Sequence, residues 1–230
     1  MKPYTFRYGA EPWPPGITTL QVYAPVDLAL NAELARLISR WRDVLSGAPI
    51  GLVDDQWLHT TLEMISDGPG GEIGADERTE LADAIRVALA ETPVYGGRAG
   101  SALAYESGAM IDISPAAPLV EAHRRIRRAV HAVRGPGATG YAVPKPHISL
   151  GYATAEADSD AWQGKLRQID PNGAPLVLPE IHLVEVGVDQ AAGQLWWTEV
   201  ARFPLVGGET LTRRAGLSDV ASVVRQGRQR

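Results

Sequence analysis

Residues 53–65 read VDDQWLHTTLEMI and residues 145–153 read KPHISLGYA, so the pattern His-x-Thr/Ser-Leu occurs twice, at His59-Thr60-Thr61-Leu62 and at His147-Ile148-Ser149-Leu150. Both stretches are rich in β-branched and apolar residues and read as strands. Side chains alternate between the two faces of a strand, so His59 and Thr61 share one face while Leu58, Thr60, Leu62 and Met64 take the other. The same alternation sets His147 and Ser149 against Ile148 and Leu150. Each motif thus puts an imidazole and a hydroxyl roughly 7 Å apart on one face, over apolar anchors. Imidazole gives or takes a proton near neutral pH, and a hydroxyl donates to a phosphoryl oxygen without carrying charge. Two such motifs brought together would make a phosphate site.

With average residue usage, two matches among five histidines would arise by accident roughly one time in a thousand. The other three histidines, His123, His131 and His182, do not match. The histidines stand 88 residues apart, and so do the hydroxyls of Thr61 and Ser149.

Working outward, the elements follow one order twice. A strand at 17–23 leads to a helix at 28–45, where Leu30, Leu34, Leu37, Ile38, Trp41 and Leu45 recur at three- and four-residue steps. The first motif strand follows, then a helix from an Asp76 cap to residue 91 and strands near 100–105 and 109–113. From 109–113 the order restarts, with a helix over 116–133, the second motif strand, a helix near 155–169, and strands at 176–188 and 194–203. The pattern predicts an α+β fold in which the motif strands hold equivalent places. Residues 1–16 form a proline-rich lead, 17–206 one bilobal domain with interleaved lobes, and 207–230 a basic, loosely packed C-terminal tail.

Composition narrows the function classes. Of 230 residues, 45% are hydrophobic and 21% charged, ordinary values for a globular chain. The absence of cysteine removes disulfide scaffolds, thiolate metal sites and cysteine nucleophiles. A net charge of -5 argues against coating long nucleic acid, so a nucleic-acid substrate should be small or terminal. No apolar stretch reaches signal-peptide or membrane-span length, and the expectation is a soluble cytoplasmic protein. The loop GPGGEIG lacks the Lys-Ser/Thr of a phosphate loop. His182, near which nothing offers the set of carboxylates or histidines of a metal site, reads as structural, and no metal or cofactor site emerges.

On the residues His59, Thr61, His147 and Ser149 the chain resembles the 2H phosphoesterase superfamily, most closely its 2'-5' RNA ligase and cyclic phosphodiesterase branch. The likeness covers about residues 17–203. It implies two similar lobes with antiparallel sheets, related by a pseudo-twofold axis around a central cleft, with helices outside. It further implies metal-independent hydrolysis of RNA 2',3'-cyclic phosphate ends or 2'-5' linkages, with ligation as the reverse step. One histidine would act as base and the other as acid, which of the two being open at this point; Thr61 and Ser149 would hold the non-bridging oxygens. The substrate would be an RNA end or nucleotide cyclic phosphate, with no obligate protein partner and no membrane.

Where relatives carry a basic or aromatic residue after the motif, this chain has Met64 and Tyr152. Lys145, sharing the parity of His147, is the substitute cation. Trp57, sharing the parity of His59, would stack a base at the cleft. Trp196 and Trp197 suit a core or hairpin role. Asp54 and Asp55 could orient an imidazole, although a loop role fits them better. Arg124, Arg127, Arg128, His131 and Arg134 form a basic helical face that could follow an RNA backbone but more simply meets acidic neighbours and solvent. The other reading of the whole chain is a non-catalytic module that holds a nucleotide or phosphorylated ligand in the same cleft.

Overall fold

In a computed structural model, residues 1–140 and 145–208 are described. The basic positions Arg213, Arg214, Arg225, Arg228 and Arg230 of the tail lie outside them. The elements in chain order are β1 (Arg7–Tyr8), β2 (Glu11–Pro12), β3 (Thr19–Pro25), α1 (Ala32–Leu45), β4 (Ile50–Leu52), β5 (His59–Ile65), α2 (Ala75–Leu89), β6 (Tyr95–Tyr105), β7 (Gly108–Ser114), α3 (Ala117–Arg134), β8 (His147–Ala153), α4 (Ser159–Leu166), β9 (Ala174–Leu178), β10 (Glu180–Asp189) and β11 (Gln194–Pro204). No helix among the described residues is long and apolar enough to cross a membrane.

Two antiparallel sheets carry the molecule, a four-stranded one in the order β11-β10-β3-β5 and a five-stranded one in the order β4-β8-β7-β6-β9. The first motif strand, β5, is the edge of its sheet, whereas the second, β8, lies inside its own between β4 and β7. Helices α2 and α3 pack on the first sheet, and α1 and α4 on the second. Thus α1 leaves β3 of one sheet to cover the other, and α3 leaves β7 to make the reverse crossing. This is the α+β architecture of two similar lobes, built from interleaved parts of the chain.

Apolar spacing fixes the helix faces: Leu34, Leu37, Ile38, Trp41 and Leu45 of α1 and Leu81, Ile85 and Leu89 of α2 are buried. Several boundaries differ from the pattern reading. Helix α1 starts at Ala32 rather than residue 28, because the Asp27 carboxylate takes the N–H groups of Ala29 and Leu30 at 2.8 and 3.2 Å and makes a turn there. Helix α2 starts one residue before Asp76, with Gly74 at the cap and no side-chain cap bond. The last helix is shortened to 159–166, begun by Asp158, whose side chain accepts from Asp160 N–H. The span 176–188, read as one strand, is two strands in different sheets, and Pro179 stands at the break between them. Proline cannot donate to a ladder, which makes that position the natural crossing.

Candidate active site at the cleft between the motif strands

The motif strand 53–65 is shorter than its pattern. Residues Asp55–Trp57 form a single 3-10 turn, closed by Trp57 N–H to the Asp54 carbonyl at 2.9 Å, and β5 begins at His59 itself. Trp57 therefore does not share a strand face with His59. It packs edge-on to Trp197 at 4.7 Å between ring centroids and is not among the cavity-lining residues. What it contributes is its carbonyl, which accepts from His59 Nδ1 at 2.8 Å. In the other motif His147 Nδ1 donates at 3.0 Å to the carbonyl of Lys145, again two residues upstream. A carbonyl can only accept, so both Nδ1 atoms carry hydrogen and both Nε2 atoms remain for proton exchange.

His59, Thr61, His147 and Ser149 line one cavity of about 500 Å³ between the two sheets. The two imidazoles are near enough for the charge of His147 to act on His59. Their surroundings differ. His59 is 6% exposed, stacked on Tyr23 at 3.8 Å with planes 18° apart and met edge-on by Trp197 at 5.1 Å. Its pKa falls from 6.5 to about 4: burial lowers it most, the bond to the Trp57 carbonyl opposes that, and His147 adds a smaller push down. At neutral pH His59 is an uncharged imidazole with hydrogen on Nδ1 and a lone pair on Nε2. His147 is only partly buried.

Each motif carries a β-bulge at its leucine. Opposite β5 the register steps from Tyr23↔Thr61 to Val22↔Glu63 and skips Leu62; opposite β8 it steps from Met110↔Ser149 to Ala109↔Gly151 and skips Leu150. An extra residue reverses the alternation beyond it. Met64 consequently faces the cavity with His59 and Thr61 instead of lying with Leu62, and Tyr152 faces it with His147 and Ser149. The structure thus brings Tyr152 to the site by a route that strict alternation does not provide.

The two bulges are completed differently. Inside its sheet, the Leu150 carbonyl accepts from Val53 N–H at 2.9 Å. A Cβ on Gly151 would lie 2.4 Å from Ile50 Cγ2 and 2.8 Å from the Gly51 carbonyl, so β4 leaves room for glycine alone. At the open edge, β5 has no neighbour to fill these roles, and side chains do so. His123 of α3 donates through Nδ1 to the Leu62 carbonyl at 2.5 Å, and Glu63, at the place matching Gly151, accepts from Met64 N–H at 3.0 Å. The Glu63 carboxylate is fully buried and takes Arg127 at 2.6 and 3.1 Å. Sequence reading missed Glu63, His123, Tyr23 and Trp197. A lone carboxylate inside a strand otherwise free of charge was the one available signal.

The remaining candidates fall outside the cavity lining. Lys145 extends into solvent and pairs with Asp112. Asp55 pairs with Arg42 rather than an imidazole. The basic face of α3 meets carboxylates, with Arg127 on Glu63 and Arg134 on Asp67 and Glu77, which matches the acidic-neighbour reading. His182 is structural but not without carboxylates: Nε2 lies 3.0 Å from Glu180 and Nδ1 3.1 Å from Glu199, and Arg202 bonds Glu199 as well. The pairing of β10 with β11 supplies Glu199, while Glu180 stands two residues before His182 on β10 itself. Among the described residues no cluster of three or more His, Cys, Asp or Glu is arranged to hold a metal ion.

The chain matches no family model and no curated protein. Solved structures do match. A protein described as a phosphoesterase superposes with a TM-score of 0.59 at 20% identity, over 82% of this chain and 98% of that one. E. coli LigT complexed with 3'-AMP gives 0.59 at 19% identity over the same shares, and TT0787 of Thermus thermophilus gives 0.59 at 17% over 81% and 97%. The chain therefore has the two-lobed α+β fold of these structures, the one that its resemblance to the 2H phosphoesterase superfamily implies.

Proposed function

We propose that the chain is a phosphoesterase that opens RNA 2',3'-cyclic phosphate ends or 2'-5' linkages by two-histidine acid-base catalysis. The observation that carries this reading is one cavity lined by two imidazoles, each held through Nδ1 to a backbone carbonyl so that Nε2 is left for proton exchange, with a hydroxyl in each motif lining the same cavity. Solved complexes of LigT with 3'-AMP, with NADP+ and with ATP agree with a nucleotide-sized ligand for this cleft.

His59, uncharged because it is buried, acts as the base. It takes a proton from water as the water oxygen bonds to phosphorus. His147, the more accessible ring, carries the proton that goes to the departing ribose oxygen as its bond to phosphorus breaks. Thr61 and Ser149 donate to the non-bridging oxygens. Ligation is the same step with the 5'-hydroxyl of a second RNA end in place of water: His59 takes its proton as its oxygen bonds to phosphorus, and His147 protonates the ribose oxygen that departs. Opening a 2'-5' linkage is that step reversed, with the roles exchanged. General acid-base help of this kind is worth ~10²- to 10⁴-fold.

The test is incubation with nucleoside 2',3'-cyclic phosphates and cyclic-phosphate-ended oligonucleotides in the presence of chelator, with product isomers resolved. Turnover is expected, and His59→Ala and His147→Ala should each lose two to four orders of magnitude with unchanged circular dichroism. Full turnover by either variant discards the acid-base pair. Tight phosphate-ester binding with no product would establish the non-catalytic module instead.

A further inference from the structure

The proline-rich lead is built into the cleft. Lys2 N–H donates to the Glu106 carbonyl at 2.5 Å and Tyr4 N–H to the Ala153 carbonyl at 2.7 Å, which tie it to the second lobe. Phe6 N–H donates to the Gln190 side chain at 2.9 Å, and Gln190 Nε2 donates back to the Tyr4 carbonyl at 2.5 Å, which tie it to the β10–β11 hairpin of the first. Phe6 and Trp13 are buried. The segment is therefore a strap joining both lobes, and Tyr4, Thr5, Phe6, Arg7 and Trp13 all line the cavity.

Tyr4 and Phe6 close on Tyr152, the residue that the second bulge turns inward: Tyr4 stacks on it at 4.8 Å, Phe6 meets it at 4.7 Å, and the two strap rings meet edge-on at 4.9 Å. Next to them stands Arg7. Among the described residues it is the one Arg or Lys lining the cavity, and none of their carboxylates lies within ion-pair range of it. Its guanidinium has five N–H donors, and the one bond it makes among the described residues is Nη1 to the Ala10 carbonyl at 2.9 Å. Elsewhere in this acidic chain Arg42, Arg78, Arg127, Arg134 and Arg202 all hold carboxylates.

The strap that carries Arg7 packs against the ends of the motif strands away from their histidines, at Tyr152 of β8 and, through Gly9, beside Ser66 just past β5. Gly9, two residues on, approaches Ser66, which follows the end of β5, while His59 begins that strand. At about 3.3 Å per residue the five steps from Thr61 to Ser66 cover roughly 16 Å of strand. A cation at that end faces a different group of the same ligand.

Resting on the phosphoesterase reading, we infer that Arg7 binds a second phosphate of the substrate, on the 5' side of the nucleotide whose phosphate reacts, with the Tyr4–Phe6–Tyr152 cluster walling the path between. The cleft then selects substrates with two phosphates over those with one. Guanidinium is suited to this because it donates to phosphate in a planar, charge-assisted pair.

The experiment compares substrates that differ by one phosphate: a nucleoside 2',3'-cyclic phosphate, the same molecule with a 5'-phosphate, and a cyclic-phosphate-ended dinucleotide with and without its own 5'-phosphate. On the unaltered protein an added 5'-side phosphate should raise kcat/KM by about tenfold or more, mainly through KM. Arg7→Ala should abolish that ratio, and Arg7→Lys should keep part of it. A gain at the bridging phosphate identifies an RNA end as the substrate, and a gain confined to the mononucleotide identifies a small nucleotide; either supports the role of Arg7. The same pairs as open 3'-phosphates are titrated calorimetrically on both proteins. Phosphate-dependent binding without turnover would sink the hydrolase reading and leave the role of Arg7 standing. No phosphate preference in any pair, or a preference unchanged in Arg7→Ala, overturns the inference.

Discussion

Tyr23 lies flat against His59, with 3.8 Å between ring centroids and 18° between planes, so the imidazole of the first motif is covered on one side by a ring from the neighbouring strand. That cover is a large part of why His59 is dry, and dryness disfavours its charged form. If His59 must be uncharged to act as base, the acid limb of kcat/KM against pH should fall near pH 4, well below the ordinary imidazole value. Tyr23→Ala should admit water and move that limb up towards 6.5. Rate profiles of both proteins decide this, together with an NMR titration of the His59 ring; an acid limb near 6.5 in the unaltered protein would count against His59 as base.

The same group ties stability to pH. Its folded pKa, about 4, lies below the unfolded value near 6.5, so between these limits the unfolded chain binds the extra proton. The folded state is undiminished above pH 6.5 and loses support as the pH falls towards 4, by about 3 kcal/mol in full. His59→Asn, which does not titrate there, should lack this loss. Urea unfolding of both proteins at pH 7 and pH 4.5 measures the difference; parallel losses would refute it.

The open edge of β5 makes a prediction about folding rather than chemistry. Glu63→Ala removes a fully buried carboxylate that holds Arg127 and the Met64 N–H, and His123→Ala strips the donor from the Leu62 carbonyl. Breaking a buried pair costs about 3–5 kcal/mol, somewhat less here because Arg127 is partly exposed, and an orphaned buried carbonyl costs about 1–3 kcal/mol. Thermal or urea unfolding gives both values. A change of under half a kcal/mol in either variant would show that the bulge does not need its helix partner.

Thr61→Val and Ser149→Ala remove the hydroxyls and keep the strands. A hydrogen bond to a charged group is worth about 1.5–3 kcal/mol, so each variant should lose roughly 10- to 150-fold in kcat/KM. Equal kinetics in both variants and the unaltered protein would take the hydroxyls out of the phosphate site.

The paired motifs could be read from the chain because their strands obey local rules: alternation, β-branching and a repeated residue pattern. His59, Thr61, His147, Ser149 and Tyr152 all line the cavity. Trp57 and Lys145 were drawn in by parity, and parity failed where the backbone left the strand, at the 3-10 turn before His59 and at the ion pair of Lys145 with Asp112. The bulges at Leu62 and Leu150 have no period of their own, so the inward turn of Met64 was invisible. Tyr23, Trp197, Glu63 and Arg7 gain their roles from neighbours 36 or more positions away, or from a strap with no repeating pattern, and composition cannot convey that. The break at Pro179 had a signal that the one-strand reading of 176–188 passed over, since a proline in a long central strand argues against continuity.

The crossings of α1 and α3 between the lobes carry a consequence for dissection. A nick in the turn between β6 and β7 yields two pieces, each holding strands of both sheets and two helices that pack on elements supplied by the other. Neither piece has a self-sufficient interior, so each alone should remain unfolded, and mixing them should regenerate an intact particle by complementation. One imidazole comes from each piece, which would make recovered turnover a direct gauge of their reassembly.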